Sequence, residues 1–178
     1  TLSGKPGQGA IFSYDLTADS PLLINLTKEL NIDFHPHGIS VYEKGEGAFV
    51  MAVVNHSQKG HSIEIFEYGD AGLIHEGTIT DPLLISPNDL VLINETQLYM
   101  TNDHGNRSEW GKTIEEYLQL ARSNVLFYDG NEFTTAIEKL RYANGINVSG
   151  DGNILYVAET AGKKISEYAI DKNSNMLT

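Results

Sequence analysis

The sequence predicts an all-β fold arranged as a propeller. Three observations carry that reading. Short β-rich runs follow one another at a spacing of roughly 8–12 residues, Gly, Asn and Asp break them apart, and one strand-turn-strand pattern recurs three times. Its first copy is Pro36–Val41 with Phe49–His56, its second Pro87–Leu92 with Leu98–His104, its third Ala143–Val148 with Leu155–Thr160. The leading polar residues His37, Asn88 and Asn144 stand 51 and 56 residues apart. A period near 50 with about four strands in it is that of a propeller blade. A sandwich has no need of one motif three times.

Taken in order, the expected strands are Ile11–Leu16, Gly38–Glu43, Phe49–Asn55, Ser62–Tyr68, Leu73–Thr80, Asp89–Ile93 and Gln97–Asn102, then Asn124–Tyr128, Glu132–Glu138, Gly145–Val148, Ile154–Ala158 and Lys164–Ile170. One helix interrupts them. Thr113 followed three residues later by Glu116 is a capping-box pattern, and Ile114, Tyr117, Leu118 and Ala121 recur at the spacing of a buried helix face, which predicts a helix over Ile114–Arg122. The 178 residues hold about three and a half such repeats, whereas closed propellers have roughly 4–8 blades. Residues 1–178 therefore read as one partial propeller domain, with the first and last blades expected outside it.

Composition narrows the chemistry. Twelve Lys and Arg against 24 Asp and Glu give a formal charge of −12, which argues against a nucleic-acid partner and suits cations held by oxygen. The apolar run through Phe49–Val54 is too short for a membrane span. Absent cysteine removes thiolate chemistry. No Gly-x-Ser-x-Gly elbow, phosphate-binding loop or EF-hand loop occurs.

Hairpin geometry says which side chains meet. With a turn at Gly45–Gly47, His37 and His56 fall opposite one another within one residue of register, and cross-strand Cβ atoms lie about 4.5–5.5 Å apart. The second hairpin sets Asn88 against Asn102, and the third sets Asn144 against Ala158 or Glu159. Equivalent positions of successive inner strands converge on a propeller axis, so His37, Asn88 and Asn144 should gather at one mouth of the channel, a binding geometry. An Asn before a strand is also an ordinary turn residue, and packing alone leaves both readings standing. Zinc held by His35, His37, His56 and His61 is a weaker possibility, since His35, His61 and His75 read as solvent-facing.

The motifs Phe34–Ser40, Val53–His56, Pro87–Leu90, Thr101–His104 and Ala143–Asn147 resemble, in order and nearly in spacing, those of the paraoxonase/arylesterase family. Asn153–Glu159 also resembles the broader gluconolactonase and regucalcin superfamily. The resemblance implies a six-bladed propeller with two calcium ions in its tunnel and a hydrolase of small lactones and aryl esters. It implies His37 and His56 as a histidine dyad that activates water. Asn88 and Asn144 would be side-chain ligands of the catalytic calcium. Asp89 and the Ile39 carbonyl would bind the deeper ion. Asn102, Asp103 and His104 would line the tunnel. Further acidic calcium ligands, and the family's disulfide, would fall outside residues 1–178. Several members are secreted, which leans the expectation toward the cell exterior. The rival readings are a gluconolactonase-like enzyme with one metal and no dyad, and a calcium-holding propeller module without activity. Five N-x-Ser/Thr sequons start at Asn25, Asn55, Asn94, Asn106 and Asn147; chance in an Asn-rich β protein explains them best.

Overall fold

The computed structural model describes residues 7–178, so Thr1 to Pro6 of the expected domain lie outside the described residues. Thirteen strands and one helix follow in order: β1 (Phe12–Tyr14), β2 (Leu23–Asn25), β3 (Pro36–Gly45), β4 (Ala48–Ser57), β5 (Gly60–Gly69), β6 (Gly72–Ile79), β7 (Pro87–Leu92), β8 (Leu98–Asn102), α1 (Glu109–Leu118), β9 (Ser123–Tyr128), β10 (Phe133–Leu140), β11 (Ala143–Val148), β12 (Ile154–Glu159) and β13 (Lys164–Ala169). They form four antiparallel sheets. Strands β3 to β6 and β7 to β10 each make a four-stranded meander, β11 to β13 a three-stranded one, and β1 with β2 a short pair. The first strands of successive meanders, β3, β7 and β11, lie side by side. This is part of a propeller, at the period expected. Only β2 has no counterpart among the expected strands.

Burial on both faces explains the sequence of the second strands. Val50 to Val54 are all buried, so β4 reads as a continuous apolar run. One face packs Val50, Ala52 and Val54 against Leu90, Leu98 and Met100 of the next meander. The other packs Met51 and Val53 against Ile11, Phe34 and Phe66. The interface between the second and third meanders is built likewise, from Val91, Tyr99 and Val125 against Ala143, Ile146 and Val157.

Each inner strand carries a β-bulge at the same place. Pro36 pairs with Asn55 but Ile39 with Val53, so β3 advances three residues while β4 retreats two. Pro87 pairs with Asn102 and Leu90 with Met100. Ala143 pairs with Glu159 and Ile146 with Val157. The extra residue falls within His37–Gly38, Asn88–Asp89 and Asn144–Gly145. This corrects one expected pairing, since Asn102 lies opposite Pro87 rather than Asn88; of the two partners expected for Asn144, Glu159 pairs with Ala143 and Ala158 is left facing the Asn144–Gly145 bulge. A bulge re-aims the side chains it contains.

The helix is also corrected. It begins at Glu109, not Ile114, because the Ser108 side chain accepts a hydrogen bond from the Gly111 N–H and so caps it earlier. Thr113 sits inside it, its hydroxyl donating to the Glu109 carbonyl at 2.9 Å. The expected buried face is outside: Ile114 is 48%, Tyr117 86% and Leu118 58% exposed, while Glu115 is 6% exposed. Polar contacts decide this orientation, with Glu115 accepting from the Gly105 N–H at 2.9 Å and Glu116 meeting His104 at 3.1 Å. No helix among the described residues is long and apolar enough to cross a membrane.

Candidate active site

The three bulges meet. A Cβ on Gly38 would lie 2.6 Å from the Asn88 carbonyl oxygen and 2.7 Å from Asp89 Oδ1. The Ile146 N–H donates to Asp89 Oδ2 at 3.2 Å, and the Thr101 hydroxyl donates to the Asn144 carbonyl at 2.7 Å. His37, Asn88 with Asp89, and Asn144 are thereby brought to one end of three adjacent strands.

His37 and His56 stack, with ring centroids 5.2 Å apart and planes inclined by 16°. His56 Nε2 lies 2.7 Å from the Pro87 carbonyl. A carbonyl only accepts, so this nitrogen carries the proton and Nδ1 the lone pair. Burial pushes the His56 pKa down, as does the charge of neighbouring His37, against the opposing effect of the Pro87 bond. His37 is the exposed member.

Beside the pair lie amide and carboxylate oxygens. Asn88 Nδ2 donates to Asp103 Oδ2 at 3.1 Å, which turns its Oδ1 away from Asp103. Among the described residues neither the Asn88 nor the Asn144 amide oxygen receives a hydrogen bond. Asp89 is braced by the Leu90 N–H at 2.9 Å as well as by Ile146. No group of three or more His, Cys, Asp and Glu side chains gathers for a metal among the described residues. The oxygens on the bulges are instead the unengaged amide oxygens of Asn88 and Asn144 and the Asp89 carboxylate, with Ile39 on the adjoining strand. Such oxygen-only chemistry fits calcium and not zinc.

His104 is buried. Its Nδ1 lies 2.6 Å from Asp103 Oδ1 and its Nε2 3.1 Å from Glu116 Oε1, a row running from Asn88 to α1. Asn102 does not reach the mouth. Its Oδ1 accepts from the Ile85 and Ser86 N–H groups, and its Nδ2 donates to the Leu83 carbonyl and Asn124, so the amide is fully used in holding loops.

Three histidines read as solvent-facing are otherwise engaged. His75 Nε2 donates to Glu64 Oε2 at 2.8 Å. His61, opposite His56 on β5, sets its ring edge-on to it with centroids 4.7 Å apart. His35, expected to face outward, is half-buried and pairs with Asp33 Oδ1 at 2.8 Å. The His75 and His61 pairings have no local signature, because each partner comes from a neighbouring strand, whereas Asp33 stands only two residues before His35. Asn55 is buried with its amide bonded, so the sequon it opens offers no glycan acceptor in the folded protein.

Burial and the neighbouring His56 lower the His61 pKa from 6.5 to about 4. The folded state therefore binds this proton less readily than the unfolded state, so stability falls with falling pH, between about 6.5 and 4. Urea midpoints across that window should decline less in His61→Gln than in the parent. Equal slopes would remove His61 as a cause.

The chain matches the Arylesterase family over residues 3–178. It is 34% identical over 177 residues to serum paraoxonase/arylesterase 2 of Homo sapiens, covering 97% of this chain and 49% of that protein. It is 35% identical over 173 residues to serum paraoxonase/arylesterase 1 of Homo sapiens, covering 94% and 48%. The chain thus spans about half the length of the curated relatives it matches. Among solved structures, a putative 6-phosphogluconolactonase from Bacteroides uniformis shares its fold, with a TM-score of 0.64 at 15% identity over 95% of this chain and 46% of that one. With the match running nearly end to end, the chain belongs to the arylesterase family.

Proposed function

We propose that the complete protein hydrolyses lactones and aryl esters, and that this chain supplies its histidine dyad and part of a calcium-holding mouth. The convergence of the three bulges supports the reading most directly, because it sets an exposed imidazole beside unengaged oxygen donors. Asn88 and Asn144 would hold one calcium through their amide oxygens. Asp89 and the Ile39 carbonyl would hold a second, with the remaining oxygens of each roughly 6–8-coordinate shell coming from elsewhere in the protein. Calcium bound there would polarise the ester carbonyl and stabilise charge developing on its oxygen.

The chain's own residues do the rest. His37 accepts a proton from the attacking water, work suited to an imidazole whose unperturbed pKa is about 6.5. His56 fixes the His37 plane by stacking and is itself fixed by its bond to the Pro87 carbonyl. Asp103 orients Asn88 by taking its amide N–H. The formal charge of −12 favours cation capture.

The complete protein should hydrolyse phenyl acetate and a simple lactone. Chelation of calcium should abolish both activities and lower the thermal midpoint, and added calcium should restore all three. Stability and activity indifferent to chelator would refute the calcium assignment. Calcium-dependent stability without hydrolysis of either substrate would favour the interaction module.

A further inference from the structure

We infer that Asn55 is the positioning residue of the dyad, a clamp that joins the segment leading into His37 to the strand carrying His56. This rests on the hydrolytic reading only for its effect on rate; the clamp itself is a matter of geometry.

Asn55 immediately precedes His56 on β4. Its Oδ1 accepts from the His35 N–H at 2.7 Å, and its Nδ2 donates to the Asp33 carbonyl at 3.0 Å. The His56 N–H donates to the His35 carbonyl at 3.1 Å. Three hydrogen bonds thus tie residues 33–35 to Asn55 and His56. Between clamped His35 and His37 stands only Pro36, whose ring fixes φ and restricts the residue before it. Little slack remains for His37 to leave the stack.

What keeps the Asn55 amide the right way round is Glu64 on β5. This buried carboxylate takes the second Nδ2 hydrogen at 3.0 Å on Oε1. Ser62 donates to the same oxygen at 2.6 Å; His75 at 2.8 Å and Thr78 at 2.6 Å fill Oε2. Burial pushes the Glu64 carboxyl up, but the hydrogen bonds from Ser62, Thr78, Asn55 and His75 outweigh it and hold the group below its ordinary value. An ionised carboxylate only accepts. A flipped Asn55 would put its oxygen against that charge and its NH2 against the His35 N–H, so only one orientation is allowed. Two strands away from the reacting water, Glu64 thereby decides where His37 stands.

The test compares Asn55→Ala with Thr78→Val in the complete protein carrying labelled histidine. Thr78→Val removes one bond to the same carboxylate without touching Asn55, so it disturbs the Glu64 network and spares the clamp. Inter-ring NOEs between His37 and His56 should vanish in Asn55→Ala and persist in Thr78→Val. The turnover number should fall about 100-fold in Asn55→Ala, the scale of an ångström of misplacement, with KM nearly unchanged. If Asn55→Ala does not fold, Glu64→Gln removes the charge at constant volume and should weaken the NOEs. NOEs retained in the folded variant, or lost equally in Thr78→Val, would overturn the clamp. Loss of NOEs in a protein without esterase activity would support the clamp and sink the hydrolytic reading alone.

Discussion

Gly38→Ala is expected to dismantle the site and destabilise the fold together. The added methyl would lie 2.6 Å from both the Asn88 carbonyl oxygen and the Asp89 Cα, and 2.7 Å from Asp89 Oδ1. Two of those atoms are backbone, so no rotamer change relieves the clash. Either β3 moves away from β7, opening the apolar interface behind it, or the Asn88–Asp89 bulge is pushed outward. Overpacking costs about 1–3 kcal/mol and occasionally more, and a collision with backbone belongs at the upper end. A large fall in the thermal midpoint, with calcium no longer raising it, is the outcome to look for. Serine at 38 should behave the same way, since the offence is the Cβ and not its polarity. A stable Gly38→Ala protein with intact calcium response would mean that β3 and β7 do not meet as described.

The second large effect is on rate. His37→Gln keeps a polar side chain at an exposed bulge position and removes the proton acceptor. Loss of a general base costs roughly 10²–10⁴-fold, so kcat for lactone should drop by at least ~100-fold while the circular dichroism spectrum and KM stay near those of the parent. His37 is the exposed ring of the stack, so its removal leaves no buried cavity. Activity unchanged on every substrate would remove the dyad and leave the single-metal lactonase as the better reading. Loss on lactones alone would divide the two substrate classes between different bases.

The architecture was legible because the repeat is long and each copy is locally complete. Pro36, Pro87 and Ala143 open equivalent strands, and the two-residue turn before Ala48 leaves the β3–β4 register little freedom. His37 and His56 could therefore be brought together from numbering alone, although the bulge leaves His35 rather than His37 opposite His56. The same arithmetic slipped by one at Asn88 and Asn102, because a bulge adds a residue that alternation does not announce. In α1 the spacing of Ile114, Tyr117 and Leu118 correctly signals an apolar stripe but carries no direction. Glu115 and Glu116 turn that stripe to solvent through partners at Gly105 and His104. Asn55 was hidden for a related reason: within its own strand it is one polar residue after an apolar run, and its meaning comes from Asp33, His35 and Glu64, up to 22 residues away.

The repeated bulge also bears on how such a chain can change. Each one turns a polar side chain toward the mouth while the residues on either side keep their alternation into the core. Amino acids at 37, 88 and 144 can be exchanged without inverting anything behind them. Deleting a single residue from any of the three pairs has a different consequence: it leaves a regular ladder with both flanking pairings intact and takes the re-aimed side chain away from the mouth. Substitution at the mouth is therefore an open route to new specificities, and shortening is a closed one, so lineages descended from this layout should differ in the identity of these residues long before they differ in their number.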